Sequence, residues 1–181
     1  IRIKPNFAEA FHSLGTANER LGNKQESLKN YQEALKIKPD YAEVFDSMGT
    51  VLSDLARYDE SIKSFNKAIE LNSNYEQAYN NLGNVLSHLG KYDEATKVYQ
   101  KAIKIKPNYP KAYSNLLFNL NYKTDFDSDL YLSIAKKFRI DCMPEKKNLI
   151  LQKKYQKNPK ELKLGFVSAD LGNHPGGFFT L

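Results

Sequence analysis

The run Asp170-Leu171-Gly172-Asn173-His174-Pro175-Gly176-Gly177 sets one histidine in a glycine-rich loop. An imidazole titrates near neutrality, so His174 could move a proton or hold a hydroxyl by hydrogen bonding. Gly-Asn-His-Pro also fits a plain tight turn with an exposed ring. A second group of residues suits binding. Asn81 and Asn115 stand 34 positions apart, with Asn80 and Asn84 alongside the first. An amide both donates and accepts, so amides at a regular spacing can hold the backbone of an extended peptide without reading its side chains. The same amides fit a solvated polar surface equally well. Metal chemistry has less support. His12 and His88 have no second ligand at metal spacing, and residues 162–181 contain no Asp-x-Asp pair. No metal and no resident cofactor are expected.

The elements that must position the amides follow from a 34-residue period. It is marked by Ile3-Lys4-Pro5-Asn6-Phe7, Ile37-Lys38-Pro39-Asp40-Tyr41 and Ile105-Lys106-Pro107-Asn108-Tyr109. Such a period indicates stacked structural units. Phe11, Phe45, Tyr79 and Tyr113 share one slot, and Gly15, Gly49 and Gly83 share another. Tyr31, Phe65 and Tyr99 form a third, and Ala34, Ala68 and Ala102 a fourth. Within 8–20, 42–55 and 76–89 the apolar residues recur at i, i+3, i+4 and i+7, one face of a helix. Glycine costs about 1 kcal/mol in a helix, so its column predicts close helix contact. Gly22 and Gly90 mark turns, Asp59 and Asp93 read as N-caps of second helices, and the prolines end them. This pattern resembles the tetratricopeptide repeat (TPR). It predicts a mostly α chain, with three helix pairs over 8–109 stacked in a right-handed superhelix. The array spans 1–122, beginning with the tail of an upstream unit and ending in a partial fourth, as in a fragment of a longer protein.

In such arrays the first helix of each pair lines the concave face. The candidate contacts are Glu9, His12, Ser13, Thr16 and Glu19, then Glu43, Asp46, Ser47, Thr50 and Asp54. The row continues through Gln77, Asn80, Asn81, Asn84 and His88 to Lys111, Ser114 and Asn115. Its early part is acidic and would repel a peptide held by its C-terminal carboxylate.

The net charge of +6 is uneven. Residues 1–122 hold 16 Lys+Arg against 14 Asp+Glu, and 123–181 hold 11 against 7. Lysines interleaved with glutamates on outer faces are solvated surface, and no nucleic-acid motif accompanies them, so no nucleic-acid partner is expected. No stretch of 18 apolar residues occurs, so no membrane span is expected either. Cys142 is the single cysteine, and no Asn-x-Ser/Thr acceptor is present. Both fit a reducing, cytoplasmic setting. Oligomeric state is not specified by the sequence.

The period fails after Tyr113 and Leu116, where Leu117 takes the glycine slot. Residues 128–142 still read as a helix, with Leu130, Ile134 and Phe138 on one face and Asp127 or Ser128 as its cap. The linker, 123–161, continues into a Lys-rich loop. Leu162-Lys163-Leu164-Gly165-Phe166-Val167-Ser168 then alternates as a strand does. A strand, a Gly-rich loop and a helix start at Phe178-Phe179 are how a Rossmann-like α/β lobe begins, so 162–181 reads as the start of a second domain.

An array, a helical linker and then Leu164-Gly165-Phe166-Val167-Ser168-Ala169-Asp170-Leu171-Gly172-Asn173-His174-Pro175: this order resembles the protein O-GlcNAc transferases. Tyr113-Ser114-Asn115-Leu116-Leu117-Phe118 with Asn121-Tyr122 is similar to the last repeat of their bacterial members. Gly176 departs from the family's pattern. The resemblance implies a two-lobed (GT-B type) glycosyltransferase that passes GlcNAc from UDP-GlcNAc to Ser or Thr, with an extended polypeptide on the concave array. It implies His174 as the active-site histidine, facing the cleft between the lobes. Most of the nucleotide-sugar site would lie in the second lobe, beyond this sequence, so the fragment alone would be inactive. Related TPR enzymes transfer fucose, so the donor stays open. The competing expectation is a TPR adaptor that scaffolds partner proteins.

Overall fold

The computed structural model describes residues 7–142. The strand expected at 162–168, the loop holding His174, the Lys-rich segment and the expected helix tail at 1–5 lie outside the described residues. Eight helices and no strand occur among those described. Three pairs follow one another: α1 (Phe7–Arg20) with α2 (Lys24–Ile37), α3 (Ala42–Asp54) with α4 (Tyr58–Leu71), and α5 (Glu76–His88) with α6 (Tyr92–Ile105). Then come α7 (Pro110–Leu120) and α8 (Ser128–Cys142). Each first helix packs on its own second helix, and each second helix packs on the next unit. Successive first helices also touch.

The glycine column does what its cost required. A Cβ on Gly83 would lie 2.5 Å from the Tyr99 ring, and one on Gly49 would lie 2.8 Å from Phe65. The second-helix ring therefore lies directly against bare backbone, and Tyr31, Phe65 and Tyr99 are fully buried there. Ala34, Ala68 and Ala102 are also fully buried, where the next unit's first helix comes close. At each turn between paired helices one residue takes positive φ: Gly22 (79°), Ala56 (57°) and Gly90 (74°). Each turn closes with a backbone bond from the following N–H to a carbonyl five residues back, as in Asn23 to Asn18, Arg57 to Leu52 and Lys91 to Leu86. That is a Schellman-type helix ending.

Asp59 and Asp93 are not N-caps. The second helices begin at Tyr58 and Tyr92, so Arg57 and Lys91 occupy the cap positions, without a side-chain cap bond. The tight turn starts each helix earlier than a capping carboxylate would. Both aspartates fall in the first turn, where they favour the helix dipole. Asp93 also pairs with Lys123 at 2.7 Å.

Helix α8 forms where expected. The Leu130 N–H donates to Asp127 Oδ1 at 2.9 Å, so Asp127 caps it. Ile134 is buried, with Leu130 and Phe138 packed beside it. Phe138 stacks on Tyr113, and the Tyr113 hydroxyl donates to Asp141 at 2.5 Å. In α7, Asn119 stands in the slot that holds Val51 and Val85 in earlier units. It is fully buried and donates to the Tyr92 carbonyl and the Thr96 hydroxyl. The fourth unit is thus tied to α6 by a polar contact where earlier units use an apolar one.

Candidate functional site: the inner face of the array

The inner face is formed by α1, α3, α5 and α7. Its polar residues are bonded to one another in a regular ladder. His12 Nε2 lies 3.1 Å from Ser47 Oγ. Asn81 Nδ2 donates to Asp46 Oδ1 at 3.1 Å, and Asn115 Nδ2 donates to Asn80 Oδ1 at 3.0 Å. Each rung joins residues 35 apart, the repeat length plus one. Position i of one first helix therefore meets position i+1 of the equivalent turn in the next. The rungs cross-link the first helices on their inner side, while the apolar core holds them on the other.

This ladder changes what the four asparagines can do. Asn80 is 0% exposed, so its amide lies behind the surface and serves as an acceptor for Asn115. Asn84 is exposed. Its Oδ1 accepts from the Tyr99 hydroxyl at 2.8 Å and from Asn115 at 2.9 Å. Asn115 Nδ2 thus spends both N–H groups inside the protein, which leaves its Oδ1, together with Asn84 Nδ2, for a ligand. Asn81 and Asn115 are half-buried and adjacent in the row, one unit apart. His174 lies outside the described residues.

A second column runs along the groove edge. Lys24, Tyr58 and Tyr92 start or nearly start the second helices, and each meets the residue 30 positions ahead. Lys24 pairs with Asp54 at 3.4 Å. Tyr58 meets His88, hydroxyl to Nε2 at 2.9 Å. Tyr92 stacks on Tyr122 with centroids 5.9 Å apart. One geometric slot is therefore an ion pair, then a hydrogen bond, then a ring stack. Toward α7 the groove opens into a cavity of about 370 Å³, whose lining includes Asn84, His88, Tyr92, Asn115, Phe118 and Tyr122. Phe118 and Tyr122 are 61% and 53% exposed, and their rings are 5.0 Å apart.

The electrostatics divide the face. Burial raises the Asp46 carboxyl pKa, with Asn81 and Tyr75 bonds opposing and the Glu19 charge adding. Burial lowers the His12 imidazole pKa, although Glu43 and Glu19 pull it up. Glu9 and Glu43 both act on Tyr41. These carboxylates therefore share one surface, and none of the ion pairs among the described residues uses Glu9, Glu19, Glu43 or Asp46. The half of the groove built by α1 and α3 is negative, and the half built by α5 and α7 is amide and aromatic apart from the exposed Lys111, whose charge acts on Asp46. Among the described residues no group of three or more His, Cys, Asp or Glu side chains has the arrangement of a metal site. His12 and His88 are instead hydrogen-bonded to Ser47 and Tyr58.

The sequence reading found the row but missed that its members bond to each other. The signal was there, since polar residues recur at offset 35 as well as 34. It also missed the cavity, because Phe118 and Tyr122 occupy slots that are polar in the earlier units.

Paired helices in 34-residue units with a glycine–aromatic contact in every pair define a class of helical repeat protein. The chain is a tetratricopeptide-repeat protein. Family models described as tetratricopeptide repeat match residues 8–41 and 76–109, and a TPR repeat model matches 49–90. No curated protein matches it in sequence. Among solved structures it is similar to MamA, at 26% identity and a TM-score of 0.67, covering 76% of this chain and 74% of that one. It is similar in fold to a mutant O-GlcNAc transferase of Thermobaculum terrenum, at 22% identity and a TM-score of 0.70. That match covers 77% of this chain but 27% of the transferase. The first TPR of Spaghetti (RPAP3), bound to the HSP90 peptide SRMEEVD, matches at 21% identity and a TM-score of 0.63, covering 67% and 96%. No described helix is long and apolar enough to cross a membrane.

Proposed function

We propose that the inner face of the array holds an extended polypeptide. We further propose that the whole protein delivers this polypeptide to a glycosyltransferase centre containing His174. The reaction would pass GlcNAc from UDP-GlcNAc to a Ser or Thr hydroxyl. One observation carries the enzymatic part: the array is followed in sequence by Leu164-Gly165-Phe166-Val167-Ser168-Ala169-Asp170-Leu171-Gly172-Asn173-His174-Pro175. The likeness to the Thermobaculum terrenum transferase supports it at the level of fold. The binding part rests on the groove. Asn81, Asn84 and Asn115 keep polar atoms for a backbone, while Asn80 holds Asn115 in place from behind. The acidic half disfavours an acidic peptide such as the one in the RPAP3 structure, because Glu9, Glu19 and Glu43 would repel it.

In the proposed step the acceptor hydroxyl attacks the sugar's anomeric carbon as the bond to UDP breaks. His174 orients the hydroxyl or takes its proton. The second reading is an adaptor without catalysis. It is favoured by the RPAP3 array, which carries a peptide on a similar fold. Transfer of radiolabelled GlcNAc to Ser/Thr acceptors by the whole protein separates the two. The expected result is transfer that falls about 10²–10⁴-fold in His174→Ala with the fold intact. No transfer from any UDP- or GDP-sugar would remove the enzyme and leave the adaptor.

A further inference from the structure

The cavity at the α5–α7 end of the groove is unlike the rest of the inner face. At the slot of Phe118 the earlier units carry Asn84, Thr50 and Thr16. At the slot of Tyr122 they carry His88 and Asp54, each held by a polar contact across the groove edge. Two large rings more than half exposed on a concave surface bury apolar area only when something enters. At about 370 Å³ the space is at the small end of binding pockets, the size for one large side chain and its backbone. No Lys, Arg, Asp or Glu lines it. Farther along the same groove, on α3 and then α1, stand Glu43, Glu19 and Glu9, which enter no ion pair among the described residues.

We propose that this cavity seats one aromatic or large aliphatic side chain of the bound polypeptide, while a Lys or Arg of that polypeptide faces Glu43, Glu19 and Glu9. The inference deepens the proposal that the groove holds polypeptide, and rests on it. Packed helices lie about 8–10 Å apart, so one and a half spacings from α3 to the cavity span about 12–15 Å. An extended chain covers that in about four or five residues. The ligand is thus a cationic pair and an apolar anchor about five residues apart. Asn84 Nδ2 and Asn115 Oδ1 take its backbone between them.

The test is an anisotropy titration of the chain with fluorescein-labelled peptides. One set places Phe five residues after a Lys-Arg pair, and another places it five before. Phe→Ser and Lys-Arg→Gln-Gln versions serve as controls. Losing the anchor should weaken binding by about tenfold or more, the effect of one buried apolar side chain. Phe118→Ala with Tyr122→Ser should bring the Phe peptide down to the Ser peptide, with no further loss for the latter. Glu9→Gln with Glu43→Gln should do the same for the cationic pair and flatten the salt dependence between about 50 and 300 mM. All four substituted positions are exposed, so circular dichroism should show an unchanged fold. Equal binding of the Phe and Ser peptides would overturn the anchor while leaving the groove. Binding indifferent to the cationic pair would overturn the charge match. No binding by any peptide would remove the groove reading along with both.

Discussion

Ala56 holds φ of 57° in a column where Gly22 and Gly90 hold the same conformation. A side chain there is strained by its own backbone, by about 1–2 kcal/mol. Ala56→Gly removes that strain but frees the unfolded chain, which costs back part of the gain. The net expectation is stabilisation by about 0.5–1 kcal/mol, read from urea unfolding. The glycine slot opposite the second-helix ring behaves in the other direction. Tyr99 is buried, and its hydroxyl is held by Asn84 at 2.8 Å, so moving the ring gives up that bond. Gly83→Ala gains helix propensity of about 1 kcal/mol and overpacks by about 1–3 kcal/mol. A net loss of up to about 2 kcal/mol should appear in the same unfolding experiment, and a stabilised variant would mean that the ring is free to shift. Both columns could be read from the sequence, as could the break at Leu117, but the strain at Ala56 could not. Nothing in the residues around position 56 marks alanine as strained until its turn is seen to match its neighbours.

Between helices the contacts divide into an apolar side and a polar ladder. His12 bonds Ser47 across α1 and α3, with Tyr41 edge-on at 5.3 Å. Its pKa is lowered by burial in the folded chain and ordinary, near 6.5, in the unfolded one. As pH falls through about 6.5 the unfolded chain takes up a proton that the folded chain resists, so stability must fall. Asp46 works against this, since its raised pKa lets the folded chain bind a proton first. Comparison with His12→Gln isolates the histidine. Between pH 7.5 and 5.5 the wild type should lose more thermal stability than the variant, and parallel curves would mean that His12 titrates freely. The helices themselves follow from period and amphipathic pattern, so their positions were open to sequence reading, including α8. The misplaced caps at Asp59 and Asp93 have a physical cause. The Schellman turn fixes the second helix's start through backbone bonds, which side-chain preferences do not reveal. Burial of Asn80 was hidden for a related reason. A polar residue one position from an exposed asparagine looks alike in sequence whether it faces the groove or the neighbouring helix.

The whole array presents a groove that is acidic along α1 and α3 and amide-aromatic along α5 and α7. Its function as a polypeptide-binding surface is the claim on which the enzymatic proposal and the anchor inference both stand. The side-chain amides report on it most directly, because Asn81, Asn84 and Asn115 face the groove and Asn80 supports them. A two-dimensional NMR titration of the ¹⁵N-labelled chain with an unfolded Ser/Thr-containing polypeptide resolves their NH₂ signals individually. Shifts confined to these amides, to His88 and to backbone positions of α1, α3, α5 and α7 are expected, with the outer faces of α2, α4 and α6 unmoved. Shifts that map to the second helices, or a saturating titration that leaves the three amides unmoved, would contradict it.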